Sequence, residues 1–131
     1  MSATHLFVYG TLLRGFHHPL HDLIESHGRF AGEARVRGKL YDLGAYPGMI
    51  PSEGDELVIG EVYELTKDRD RVMATLDEYE GCDPDEPEPH EYRRTIVEAR
   101  LASGERVEAW AYVLNRNATA LRRIESGSWR A

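Results

Sequence analysis

A single cysteine, Cys82, stands in 131 residues, so no disulfide can form within the chain. A reducing cytoplasm is therefore the expected setting. No apolar run reaches membrane-spanning length and no charged-then-apolar leader opens the chain, so neither a membrane nor export is expected. There is no internal repeat and no low-complexity tract. Cations are the minority, with 16 Lys and Arg against 23 Asp and Glu, a formal net charge of -7 and a pI near 5.3. That balance argues against nucleic acid or an anionic membrane surface as the main partner. What remains, 41% hydrophobic and 30% charged residues, is one expected domain over 1–131 with a real core.

The apolar pattern reads mostly as strands. His5-Leu6-Phe7-Val8-Tyr9 is a short buried run ending at Gly10. A short helix fits His18 to Ser26, with Pro19 restricting its start. Phe30 to Arg37 alternates, and Lys39 to Leu43 continues it as a bent or second strand after Gly38. Residues 44–48 read as a loop, 51–55 as a turn, and Leu57 to Leu65 as a strand. Tyr92 to Leu101 and Arg106 to Leu114 form the clearest hairpin, and the pattern fades after Asn115. Several strands of similar length with little helix predict a small barrel or strongly curled sheet, because closure removes exposed edges.

One carboxylate falls on an apolar face. From Lys67 onward Val72, Met73, Leu76 and Tyr79 recur at helical spacing, and at about 100° per residue Glu80 lies within their stripe. Thr66 is the expected N-cap and Gly81 the expected stop. Desolvation and the negative end of the helix dipole would both raise the pKa of Glu80, which suits a general base near neutral pH. A glutamate in a last helical turn is more often solvated, so this pattern alone leaves both readings open.

Other motifs compete less well. His17, His18 and His21 have spacing that suits a metal, but no carboxylate or cysteine motif completes the site, and they read as surface histidines. Eight acidic residues and no Lys or Arg occupy 77–91, without the ligand spacing of a calcium loop. With Pro84, Pro87 and Pro89 this is a solvated connection whose field can raise the pKa of Glu80. Cys82 has no histidine placed to activate it and reads as an incidental thiol. Tyr41, Tyr46 and Tyr92 are candidates for packing or for lining a pocket, Arg93 and Arg94 for attracting a carboxylate, and Trp129 for docking the tail.

Taken in order, the segments Phe7-Val8-Tyr9-Gly10-Thr11-Leu12, Gly38-Lys39-Leu40-Tyr41-Asp42-Leu43 with Tyr46-Pro47-Gly48, and Gly60-Glu61-Val62-Tyr63-Glu64-Leu65 resemble the γ-glutamylcyclotransferase-like superfamily. Leu76-Asp77-Glu78-Tyr79-Glu80-Gly81, Tyr92-Arg93-Arg94 and Ile124-Glu125-Ser126-Gly127-Ser128-Trp129 continue the likeness over nearly the whole chain. The subgroup is the one that includes γ-glutamylamine cyclotransferase and the plant AIG2-like proteins. The resemblance implies an α+β fold, a small mixed β-barrel with flanking short helices. It implies conversion of a small γ-glutamyl amine or γ-glutamyl amino acid to 5-oxoproline and the free amine, with no metal or organic cofactor. It assigns Glu80 as catalytic acid/base and Tyr9, Gly10, Thr11 and Leu12 as the substrate-holding loop. The alternative is a barrel of the same fold that binds a small ligand or a protein without catalysis. The acidic, proline-rich insertion at 83–90 departs from the expected pattern and would either lid the pocket or block it.

Overall fold

Alternation along the first strand, β1 (His5–Val8), divides the interior in two: Phe7 faces one apolar cluster, and Leu6 and Val8 face another. The structure is a computed structural model that describes residues 4–15, 18–82 and 84–129. After β1 come α1 (Pro19–His27), β2 (Gly28–Asp42), β3 (Pro47–Pro51), β4 (Leu57–Leu65) and α2 (Arg69–Glu80). β5 (Tyr92–Leu101), β6 (Arg106–Leu114) and the short β7 (Arg122–Ile124) complete the order.

Five strands close on themselves in the order β2, β4, β1, β6, β5 and back to β2. The β1–β6 pair is parallel and the other four are antiparallel, so the barrel is mixed. This is the small mixed barrel with short flanking helices that the resemblance implies. Its inside is filled by Phe7, Val36, Val58, Val62, Ala111 and Val113 among others. The second cluster lies under the helices, where Ile24, Val72, Met73 and Leu76 pack with Leu6, Val8, Tyr63 and Leu65. Each fully buried aliphatic side chain of this kind contributes about 2 kcal/mol. Gly60 lets β1 and β4 approach: a Cβ there would lie 2.2 Å from the Val8 carbonyl oxygen and 2.8 Å from the Phe7 ring.

Several boundaries differ from the sequence reading, each for a local reason. The two pieces expected around Gly38 are one strand, β2, which carries a bulge between Phe30 and Gly32. The loop expected at 44–48 is cut short by β3, which pairs with β2. Pro47 and Pro51 are the first and last residues of β3, where a missing N–H is tolerated, so apparent turn signals frame a strand. The tail is not patternless: β7 pairs with β2, and the Ile59 N–H donates to the Gly127 carbonyl at 2.8 Å. That bond anchors the tail, while Trp129 is half-buried beyond it. Thr66 does not cap α2. Its N–H and hydroxyl both donate to the His27 carbonyl, and Asp68, at φ 47°, precedes the helix without a side-chain cap. Pro19 occupies the start of α1, a position that needs no N–H, and His18 Nδ1 accepts the Leu20 N–H at 3.1 Å.

Candidate active site

The end of α2 is fixed by its own backbone. Gly81 adopts φ 71°, its N–H donates to the Glu78 carbonyl at 3.2 Å, and the Cys82 N–H donates to the Asp77 carbonyl at 3.0 Å. These are the two hydrogen bonds of a Schellman stop, and they make Glu80 the last helical residue. The same turn is tied to the β5–β6 hairpin through Asp77, which accepts the Tyr112 hydroxyl at 2.7 Å and pairs with Arg94 at 3.0 Å. Arg94 in turn lies over the Trp110 ring at 4.4 Å. Arg94 therefore does attract a carboxylate, one belonging to the protein itself.

Glu80 lines a cavity of about 310 Å³ together with Tyr9, Gly10, Thr11, Leu12, Glu91 and several aromatic rings. The five residues singled out from sequence thus line one cavity. Burial, followed by the charge of Glu91, pushes the Glu80 carboxyl up to about 7. Among the described residues none donates a hydrogen bond to that carboxylate. The acidic connection acts on it through Glu91. Glu91→Gln is accordingly expected to move the acid limb of kcat/KM to lower pH, by part of the displacement because burial remains. A pH–rate profile of the variant beside the parent checks this, and an unmoved limb would count against the Glu91 contribution.

The turn after β1 is held from outside the cavity. Its Leu13 N–H donates to the Gly10 carbonyl at 3.0 Å, and His21 Nδ1–H donates to the Leu12 carbonyl at 2.9 Å. Arg14 closes it, donating its backbone N–H to Glu61 Oε1 at 3.0 Å and its guanidinium Nε to Oε2 at 3.3 Å. Among the described residues none accepts a hydrogen bond from the N–H of Gly10, Thr11 or Leu12. Three backbone donors are therefore available in a turn that lines the cavity, an arrangement suited to an anionic or developing oxyanion group.

Tyr9 and Gly10 also hold the wall of the cavity together. The Tyr9 hydroxyl donates to the Tyr112 carbonyl and accepts the Met49 N–H at 3.1 Å, so it staples β3 to β6. Burial raises its phenol above the ordinary range. At Gly10 an added Cβ would meet the Pro47 ring at 2.9 Å. The missing side chain makes room for β3.

The remaining aromatic candidates separate cleanly. Tyr46 and Tyr92 line the cavity and Tyr41 does not. The Tyr46 hydroxyl donates to Glu91 at 2.8 Å and the Tyr92 hydroxyl to the Pro47 carbonyl at 2.7 Å. Tyr79, expected within the buried stripe, is 48% exposed and lines the cavity, its ring edge-on to His18 at 4.8 Å. His17 lies outside the described residues. His21, expected at the surface, is buried, with Nε2 against Glu25 at 3.0 Å. Cys82 is half-buried and packs against the cluster under the helices. Asp83 also lies outside the described residues, 84–89 are exposed, and of the described part of 83–91 only Glu91 lines the cavity.

Sequence reasoning missed Glu61, Glu91, His21 and the Asp77–Arg94 pair. Glu61 carried a legible signal, a charge inside the otherwise apolar run of β4, and the strand buries it. The others depend on which loops meet, which no local pattern reports.

The closed mixed barrel with short flanking helices is a fold this chain shares with an AIG2-like protein of known structure. The crystal structure of an AIG2-like protein from Mus musculus matches it with a TM-score of 0.71 at 28% identity, over 95% of this chain and 88% of that one. Residues 6–131 match the family described as gamma-glutamyl cyclotransferase, AIG2-like, and the chain belongs to that family. The gamma-glutamylcyclotransferase family protein YtfP of Escherichia coli is 32% identical over 127 residues, covering 95% of this chain and 94% of its own. The gamma-glutamylaminecyclotransferase of Rattus norvegicus is 32% identical over 114 residues, 77% of this chain and 66% of its own.

Proposed function

We propose that the protein converts a γ-glutamyl amine to 5-oxoproline and the free amine, with Glu80 as general acid/base. The observation that carries this reading is one carboxyl, raised to about 7, in a cavity also lined by residues 10–12, whose amides are unpaired among the described residues. The substrate α-ammonium gives its proton to Glu80, and the freed nitrogen attacks the γ-carbonyl carbon of the same molecule. A ring C–N bond forms and negative charge develops on the carbonyl oxygen, where backbone N–H groups stabilise it. Glu80 then returns the proton to the leaving nitrogen as the original C–N bond breaks, and the ring nitrogen gives up its second proton to the released amine, leaving the lactam N–H and an alkylammonium. Nucleophile and electrophile already share one molecule, so holding the ring-forming pose supplies much of the remaining acceleration.

The leaving group follows from charge. None of the described lining residues is Lys or Arg, and two are glutamates. An α-carboxylate next to the scissile bond, as in a γ-glutamyl-α-amino acid, would meet no lining cation, since Arg116, just beyond the lining, is engaged with Glu91 at 3.5 Å, whereas a plain or cationic amine needs none. The name of the rat relative, an amine cyclotransferase, supports the same choice. The expected result is a kcat/KM at least about tenfold higher for γ-glutamyl-ε-lysine and γ-glutamyl butylamide than for γ-glutamylalanine or glutathione, about 1.4 kcal/mol in barrier. The reverse order would replace this substrate class, and silence across the panel from folded protein would favour the binding-only barrel. No helix among the described residues is long and apolar enough to cross a membrane. With Cys82 as the only thiol, the proposed setting is the cytoplasm.

A further inference from the structure

A second, larger groove of about 770 Å³ is lined mainly by β2 and β5, with Pro51 at the end of β3, Leu57 at the start of β4 and Arg106 at the start of β6. It inverts the charge of the molecule. Five of the 16 cationic residues line it (Arg35, Arg37, Arg93, Arg100 and Arg106) against Asp55 and Glu98, two of the 23 acidic ones. Arg106 stands 3.9 Å from Glu98, but Arg35, Arg37, Arg93 and Arg100 make no ion pair or side-chain hydrogen bond with any described residue. Four exposed guanidiniums gathered without an ion-pair partner, and outnumbering the two carboxylates beside them, repel one another, a cost that an anionic occupant would remove.

The groove exists because the seam is short. β5 meets β2 only at Leu101↔Ala34 and Arg100↔Arg35. From Arg93 to Ala99 the flank of β5 away from β6 has no strand partner among the described residues. Half of the backbone N–H and C=O groups of such an edge point away from its one neighbour, an open template for another strand. The stretch from Arg93 to Arg100 spans about 23 Å at roughly 3.3 Å per residue. That is too long for one phosphate or carboxylate and matches an extended peptide of about seven residues. Ile96, at 37% exposure, and Leu57, at 40%, add apolar ground between the charges.

We infer that this groove docks an acidic, extended segment of a partner protein, which adds as a strand to the free edge of β5 and pairs its carboxylates with the arginines. A single-stranded nucleic acid has the length and the charge, but no Phe, Tyr, Trp or His lines the groove to stack its bases, and the net charge of -7 opposes a polyanion at long range. The site shares no lining residue with the Glu80 cavity, so its occupation is separable from catalysis.

The test is an amide NMR titration of the whole chain with the peptide Ac-Glu-Thr-Glu-Val-Glu-Thr-Glu-NH2 at about 20 mM salt, where screening is weak. The expected result is a set of shifts centred on the amides of residues 93–99. The dissociation constant should weaken at least about tenfold in Arg35→Glu/Arg93→Glu, and similarly at about 0.5 M salt. The dispersion of the variant's own spectrum reports whether it is folded, and Arg37→Gln/Arg100→Gln gives a second, milder pair should charge reversal unfold it. A peptide N-methylated at alternate residues should lose binding, because it cannot pair as a strand. Any of four results would overturn the inference: no shifts at about millimolar peptide, binding indifferent to both arginine pairs, equal binding of the N-methylated peptide, or tighter binding of an oligothymidine than of the peptide.

Discussion

Glu80→Gln is expected to lower kcat by about 10³-fold, within the range for loss of a positioned acid/base, while making the protein more stable above pH 7. Glutamine keeps the shape of the side chain and cannot take the proton. The stability gain follows from the same burial that tunes the group. Glu80 titrates from its ordinary 4.5 when unfolded and at about 7 when folded. The folded state holds the proton longer, so stability is full below the unfolded value, falls as pH rises between the two, and stays lower above about 7. At about 1.4 kcal/mol per pH unit that interval is worth about 3 kcal/mol, which solvent screening of a half-buried carboxylate reduces to about 2. Denaturant melts at pH 4 and pH 8 check the sign. Parent and variant should coincide at pH 4 and separate at pH 8 with the variant higher, and the opposite order would mean that Glu80 is stabilised, not strained, in its pocket.

Gly60→Ala is expected to be the more damaging change to the fold, although it adds one methyl group. The added carbon would sit 2.2 Å from the Val8 carbonyl oxygen, with the Phe7 ring at 2.8 Å on the other side. The oxygen belongs to the backbone of β1, so β1 must move away from β4. Overpacking of this kind costs about 3 kcal/mol. For a domain of this size that corresponds to a fall in Tm of about 10 °C. Val8 leads directly into the turn that lines the cavity, so turnover should fall as well, even at temperatures where the variant is folded. A Tm within about 2 °C of the parent would show that β1 and β4 yield at this point more readily than their spacing indicates.

The parts of this molecule that were legible in its sequence are those set by local chemistry. The β5–β6 hairpin and β4 carry alternation and turn residues strong enough to give their boundaries, and Gly81 marked the stop that positions Glu80. β3 and β7 were not legible, because short segments of five and three residues hold too little pattern and their strand pairing, with β2, is distant in sequence. Tyr79 shows the limit of periodicity from the other direction: it keeps helical spacing with Leu76, yet the helix ends before anything covers it. At the site, only the resemblance implied that Glu80 and the turn of residues 9–12 belong to one pocket; residue types alone did not. Nor did they foretell that Gly10 makes room for Pro47, that the Tyr9 hydroxyl is spent on the backbone, or that His21 and Glu61 hold the turn from behind. Those roles arise only when β3, α1 and β4 are brought to the same end of the barrel.

The most direct test of the account is the pH dependence of 5-oxoproline release from γ-glutamyl-ε-lysine by the parent protein. The account predicts turnover that rises with a midpoint near 7, the value to which burial and Glu91 push Glu80, and levels off above it. Folded protein that releases no 5-oxoproline, or a rate unchanged through that midpoint, would contradict Glu80 as the base.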